Sequence, residues 1–179
     1  MDRVTRKPRL STVWLGGCSG CHMSVLDLDE RLIYLAGRVE LCASPFTDFK
    51  EFPETDLTLV EGAVANEEHL AQIRTIRSRT KLLVSMGDCA VTGNVTALRN
   101  AFRLEDVLDR AYRETATILI GIPRGNGAVP RLLPRVRPVH EVVKVDHFIP
   151  GCPPSAEAIY DFVISLLEGR APANEGGFG

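Results

Sequence analysis

Two mainly apolar stretches with a helical segment between them constrain the fold of this chain most strongly. The runs Leu57-Thr58-Leu59-Val60 and Lys81–Met86 are typical of strands that are covered on both faces. Between them, Asn66 is suited to cap a helix whose first turn is acidic and whose last turn is basic. Strand, helix and strand with short connections predict an α/β fold, with a parallel sheet and helices on both of its faces.

The same alternation extends to both ends of the chain. A strand is predicted at Thr12–Leu15, followed by a glycine-rich corner and one helix over 21–36. Val39–Ala43 is predicted to be a short strand, and Val142–Ile149 a last strand that leads into a final helix. Pro123–Pro138 carries four prolines and four arginines, so we expect an irregular Pro/Arg-rich portion there.

The bulk properties favour one domain of ordinary size. We expect the 179 residues to form a single domain, 1–179, with flexible ends at 1–10 and 174–179. A net charge of −2 argues against nucleic-acid and membrane-surface binding, and no apolar run approaches the roughly 20 residues of a membrane span. We also see no export signal, and five unevenly spaced cysteines do not resemble a secreted disulfide framework. A cytoplasmic location is therefore predicted.

Four of the five cysteines share one setting, a glycine-flanked turn just after a strand or at the start of a helix. They are Cys18, Cys21, Cys89 and Cys152. Ligands of open parallel sheets gather at the carboxyl ends of the strands, and helix N-termini favour thiolate over thiol. Cys42 differs, because it lies inside a predicted strand and is expected to be a small buried residue.

Spacing alone leaves several interpretations of these thiols open. A redox dithiol would use Cys18 and Cys21 but would leave the other two without a role. A structural zinc site usually takes two close pairs, and only one Cys-x-x-Cys pair is present. An iron–sulfur cluster would use all four thiolates and would benefit from N–H donors to its sulfurs. Four unrelated cysteines are the remaining alternative.

Four motifs in order along the chain resemble the small subunit of [NiFe] hydrogenases and the related 20 kDa cluster-bearing subunit of respiratory complex I. They are Trp14-Leu15 before Cys18-Ser19-Gly20-Cys21, Val60-Glu61-Gly62, Ser85-Met86-Gly87-Asp88-Cys89 and Pro150-Gly151-Cys152-Pro153-Pro154. The complex I subunit has adjacent cysteines in the first motif, whereas this chain has Cys-x-x-Cys, as hydrogenases do. The chain has no twin-arginine signal and no further cysteines after Cys152. In both respects it resembles the small subunit of the cytoplasmic, NAD-reducing bidirectional hydrogenases.

The resemblance implies a flavodoxin-like fold and an electron-relay role. It implies one proximal [4Fe–4S] cluster, held by Cys18, Cys21, Cys89 and Cys152. The [NiFe] site would belong to a large subunit, and further iron–sulfur and FMN-containing subunits would reduce NAD. One alternative is a cluster-bearing subunit of a complex I-like quinone or ferredoxin oxidoreductase. An alternative of another class is a zinc-bound structural or assembly module.

Two polar residues near these motifs carry weaker expectations. We expect Glu61, at a strand end, to carry protons or to accept a hydrogen bond at a subunit interface; a solvated loop glutamate is the alternative. We expect His22 to lie on a helix surface rather than to donate to a cluster sulfur. Because thiols occupy the first strand-to-helix turn, where flavodoxin-like sheets bind phosphate, no flavin is expected in this chain.

Overall fold

The computed structural model describes residues 6–48, 51–117, 121–123 and 128–172. Its strands are β1 (Arg9–Trp14), β2 (Glu40–Ala43), β3 (Thr55–Glu61), β4 (Val64–Asn66), β5 (Thr80–Met86), β6 (Leu132–Arg137) and β7 (His147–Ile149). Its α-helices are α1 (Gly20–Leu26), α2 (Arg31–Arg38), α3 (Glu67–Ser78), α4 (Asp88–Thr92), α5 (Asn94–Ala97), α6 (Leu104–Asp109) and α7 (Ala156–Leu167). Short 3₁₀-helices lie at Leu98–Ala101 and Val139–Glu141, and a π-helical turn at Arg110–Glu114.

Five of these strands form a parallel sheet in the order β2-β1-β3-β5-β7. With β4 and β6, which form a separate two-stranded sheet, set aside, this is the strand order of flavodoxin-like folds, so the predicted fold class is confirmed. Trp14, Glu61 and Met86 are in register at the carboxyl ends of the three central strands. Loops that leave these strands therefore start from one edge of the sheet.

Alternate residues of each strand supply two hydrophobic cores, one on each face of the sheet. On one face, Leu59 and Met86 pack in a core that also contains Phe162 of α7. On the other face, Val60 and Leu83 belong to a core that Ile73 and Ile76 of α3 complete. Each of these side chains is at most 5% exposed, which explains why their strands are almost continuously apolar.

The helix predicted over 21–36 is two helices, α1 and α2, separated by a turn. Asp29 has a φ of 50°, a left-handed conformation that interrupts the helix. Helical spacing of leucines continues across the turn because Leu28 and Leu35 both reach the same core. The spacing of the leucines therefore predicted the buried face correctly but gave no sign of the break between α1 and α2.

Two further predictions about the second half of the chain need correction. The last strand covers only His147–Ile149, because a 3₁₀-helix and a turn occupy the residues before it. Part of the Pro/Arg-rich segment is regular: β6 pairs antiparallel with β4. Pro134 is tolerated in β6 because a strand in a two-stranded ribbon has one edge that needs no N–H donor.

The chain ends are described only in part. Residues 1–5 and 173–179 lie outside the described residues, as do 124–127 in the Pro/Arg-rich segment. Strand β1 begins at Arg9, within the segment 1–10 that we expected to be flexible. Arg6 forms an ion pair with Asp56, with 3.0 Å between Nη2 and Oδ2. None of the helices in the described ranges is long and apolar enough to cross a membrane.

Candidate metal centre

The four predicted thiols follow the carboxyl ends of three parallel strands. Cys18 follows β1 and Cys21 lies in the first turn of α1, while Cys89 follows β5 and Cys152 follows β7. Burial raises the pKa of the Cys21 thiol, and the charges of Glu61 and of the other three thiols raise it further. The ends of β1, β3, β5 and β7 are in register, so the turns that carry the four thiols leave the same edge of the sheet. All five cysteines are free thiols.

Exposure differs among the four thiols and locates the site at the protein surface. Cys21 is buried and Cys89 is half-buried, whereas Cys18 and Cys152 are exposed. Cys42 lies apart from them in β2, where it is 4% exposed and accepts a hydrogen bond of 3.1 Å from Nε of Arg9. The buried structural position predicted for Cys42 is confirmed.

Gly87 leaves the space that the buried thiol occupies. Its φ of 84° and ψ of 155° belong to a region that only glycine adopts readily. A Cβ atom at this position would lie 2.2 Å from Sγ of Cys21. The turn after β5 can therefore pass the Cys21 thiol only because residue 87 has no side chain.

A carboxylate from a distant strand caps the helix that carries Cys21. Ser19, at the N-cap position of α1, has a φ of 69° and makes no side-chain cap bond. The Glu61 side chain caps the helix in place of Ser19. Its Oε2 accepts a hydrogen bond from the backbone N–H of His22 at 2.9 Å, and its Oε1 accepts one from the backbone N–H of Cys21 at 3.4 Å. Because the first N–H groups of a helix have no partner within the helix, Glu61 both anchors α1 and orients Cys21.

His22 is fully buried, so the prediction of a helix-surface histidine was wrong. Its Nδ1 donates to Oε2 of Glu61, and the ring of Phe46 contacts it edge-on, with 5.6 Å between the ring centroids. Within the described part of the chain, Nε2 of His22 has no hydrogen-bond partner. Glu61 itself is 1% exposed, so the solvated-loop alternative for this residue was wrong too. The proton or interface role of Glu61 stays a prediction.

The turns that carry Cys89 and Cys152 are bonded to each other through backbone and side chain. Gly87 N–H donates to the carbonyl of Ile149 at 2.7 Å, and Asp88 N–H to that of Gly151 at 2.9 Å. Oδ1 of Asp88 accepts from Gly151 N–H at 2.7 Å. Sequence reasoning missed Asp88, because an aspartate in a glycine turn carries no signal of a partner 63 residues away.

Backbone N–H groups also reach the thiols themselves. Gly20 N–H donates to Sγ of Cys18 at 3.4 Å. Burial raises the pKa of Cys89, while the N–H of Thr96 hydrogen-bonds to the thiol and partly offsets that rise. Donors of this kind stabilise negative charge on sulfur, as the ligands of an iron–sulfur cluster require.

The donor set fits a cluster of iron atoms. Four thiolates are soft anionic ligands, which suit iron–sulfur clusters and zinc. Within the described ranges, no group of three or more His, Cys, Asp or Glu side chains is arranged to hold a single metal ion. A cluster is larger than one ion and takes one thiolate on each iron atom, so it accepts thiolates that are further apart.

Comparison with known proteins places this site in a family. The family described as NADH ubiquinone oxidoreductase, 20 kDa subunit, matches residues 18–166. The NAD-reducing hydrogenase HoxS subunit delta of Cupriavidus necator is 43% identical over 168 residues, which cover 92% of this chain and 80% of that protein. A subunit of the F420-non-reducing hydrogenase of Methanothermobacter marburgensis is 36% identical over 93% of this chain, which spans 56% of that protein's length.

Solved structures agree with these relatives. A subunit in a crystal structure of NAD+-reducing [NiFe]-hydrogenase in the H2-reduced state is 41% identical to this chain, with a TM-score of 0.90 and 97% of both chains covered. A [NiFeSe]-hydrogenase chain from Dm. baculatum has a TM-score of 0.62 at 16% identity, which shows a shared fold alone. The chain therefore belongs to the family of the 20 kDa subunit of NADH ubiquinone oxidoreductase and is homologous to a subunit of NAD-reducing hydrogenase, an oxidoreductase.

Proposed function

We propose that this chain is the electron-transfer small subunit of a cytoplasmic, NAD-reducing [NiFe] hydrogenase. The observation that carries the proposal is that the turns after β1, β5 and β7, which carry the four thiols, leave the same edge of the sheet. The NAD-reducing relatives support it, since 80% of one and 97% of another are covered by this chain. Free thiols throughout fit the reducing compartment that we propose.

In this proposal one [4Fe–4S] cluster is held by Cys18, Cys21, Cys89 and Cys152. When bound, such a cluster supplies one-electron transfer at a potential set by its surroundings. The chain's own residues shape those surroundings. Gly87 keeps the space beside Cys21 open, Glu61 holds the first turn of α1, and the N–H of Gly20 donates to the Cys18 sulfur.

The partial exposure of the site suits a subunit that exchanges electrons with neighbours. We propose that the large subunit with the [NiFe] centre covers the side where Cys18 and Cys152 are exposed. Further iron–sulfur and FMN-containing subunits would then connect this chain to NAD. No flavin is proposed here, because α1 begins with thiols and its first N–H groups already bond to Glu61.

A second candidate is favoured by the family itself. The matching family is described by a subunit of NADH ubiquinone oxidoreductase, so a complex I-like quinone or ferredoxin oxidoreductase is the alternative assignment. It differs from the first in partner and electron acceptor, and it has the same cluster in this chain.

The test is to purify the tagged chain anaerobically, with its bound partners, and to count iron, sulfide, nickel, zinc and FMN per complex. We expect more than about four iron and four sulfide per complex, because partner subunits add clusters to the one in this chain, together with nickel and FMN from those partners. Iron and sulfide without nickel would favour the complex I-like candidate. Zinc in place of iron would overturn the electron-relay function and favour a structural or assembly module.

A further inference from the structure

We propose that Asp88 is the positioning residue that holds the Cys89 turn and the Cys152 turn in register. The inference rests on the proposed function, because its consequence is the placement of two of the four cluster ligands. Asp88 touches neither thiol in this role. It acts on the backbone of Gly151, the residue before Cys152.

Two reciprocal hydrogen bonds join Asp88 to Gly151. The backbone N–H of Asp88 donates to the Gly151 carbonyl at 2.9 Å, and Oδ1 of Asp88 accepts from the Gly151 N–H at 2.7 Å. The N–H and carbonyl of Gly151 and the N–H of Asp88 therefore all find partners across the two turns, although 63 residues separate the two residues in sequence. One bond fixes the peptide group before the Gly151 Cα atom and the other the peptide group after it, so the pair sets both the distance and the orientation of the turn.

Backbone hydrogen bonds from Gly87 N–H and Asp88 N–H join the two turns, but none of them satisfies the N–H of Gly151. The pairing between β5 and β7 ends at Met86 and Ile149, one residue before the turns begin. Gly87 and Gly151 have φ angles of 84° and 133°, so their backbones leave the ladder geometry. A Cβ atom at Gly151 would lie 2.6 Å from Cα of Pro154, which shows how tightly this turn is folded. An acceptor from a side chain is needed to satisfy its N–H, and Asp88 provides it.

The charge of Asp88 adds a second effect. A neutral asparagine would also accept this hydrogen bond, whereas a carboxylate brings negative charge beside a cluster that becomes more negative on reduction. That charge opposes reduction and lowers the potential of the cluster. Asp88 is thus expected to set the geometry through its oxygen and the potential through its charge.

The experiment compares Asp88→Ala and Asp88→Asn with Asp109→Ala, which removes an exposed carboxylate paired with Arg113 on another helix. Each is purified anaerobically as the complex, and iron and sulfide content, the EPR spectrum and the midpoint potential of this cluster are measured. We expect about a 10-fold loss of cluster occupancy in Asp88→Ala. Asp88→Asn should retain the cluster, at a more positive potential, and Asp109→Ala should match the wild type.

The outcomes separate this inference from the proposed function. A wild-type complex without iron and sulfide overturns the proposed function and the inference with it. Wild-type occupancy and potential in Asp88→Ala overturn the inference alone. If Asp88→Ala does not fold, Asp88→Asn decides. Because asparagine keeps the acceptor, loss of the cluster in Asp88→Asn would overturn the positioning role, and an unchanged midpoint potential would overturn the charge effect.

Discussion

Glu61 at the end of β3 and His22 in the first turn of α1 form a hydrogen-bonded pair that is closed off from solvent. The side chains of His22 and Glu61 are 0% and 2% exposed, and the same Glu61 carboxylate caps α1 through two backbone N–H groups. One side chain thus ties the sheet to the helix that carries Cys21. Because Glu61 is in register with Trp14 and Met86, the link lies at the edge where the thiols meet.

Removing the Glu61 carboxylate should destabilise the whole chain. Glu61→Ala leaves His22 and two N–H groups buried without their acceptor, and we expect a loss of about 3 kcal/mol in the free energy of unfolding. Glu61→Gln keeps one acceptor oxygen and should lose less. Urea unfolding followed by circular dichroism measures both, with the exposed Glu51→Ala as control. A loss below about 1 kcal/mol in Glu61→Ala would show that the pair does not anchor α1.

Replacing one of the proposed ligands should impair cluster assembly. Cys89→Ser substitutes a hard oxygen for a soft sulfur, so iron and sulfide per chain should fall well below the wild-type value. Cys42→Ser is the matched control, because Cys42 lies in β2 and bonds to Arg9, away from the site. A full-occupancy cluster in Cys89→Ser would remove Cys89 from the ligand set.

A side chain at residue 87 should be incompatible with the site. Gly87→Ala would place Cβ 2.2 Å from Sγ of Cys21 and would force a backbone conformation that costs about 1–3 kcal/mol for other residues. We expect lower stability and loss of the cluster. At Gly37, within α2, a Cβ would meet nothing within 4 Å, so Gly37→Ala should stabilise the chain by about 0.5–1 kcal/mol. Thermal unfolding of both variants and iron counts test this contrast.

Stability should fall in acid through Asp146, which precedes β7. Burial raises the pKa of Asp146, but hydrogen bonds from Leu83 N–H and Arg77 outweigh it and hold the pKa below its usual value of 3.8. The unfolded chain therefore binds the proton more readily. This stabilisation is full above the unfolded pKa and is lost as the pH falls through 3.8 towards the folded pKa.

The variant Asp146→Asn should be less stable at neutral pH and should lose less stability between about pH 5 and pH 3. The free energy of unfolding, measured across that range, gives the two slopes. Asp161→Asn, at an exposed position of α7, should keep the wild-type slope. An Asp146→Asn slope equal to that of the wild type would show that Asp146 does not contribute to the acid dependence.

The parallel sheet and its two faces could be predicted from the sequence because both follow from local patterns. Runs such as Leu57–Val60 are apolar throughout since both of their faces are covered, and the cap at Asn66 is a short-range signal that the structure confirms. The break between α1 and α2 could not be predicted, because the leucines keep helical spacing across it. The strand β6 was missed because its partner β4 is distant in sequence and its own composition is rich in proline and arginine.

The sequence by itself determined the fold class, the family and the four thiols, since these depend on residue types and their order. Only the tertiary structure showed that Glu61 caps α1, that His22 is buried against it and that Asp88 binds the Gly151 turn. Those contacts join residues from 39 to 63 positions apart. A local pattern carries no information about such distant partners, because the choice of partner is made by the packing of the sheet and its helices.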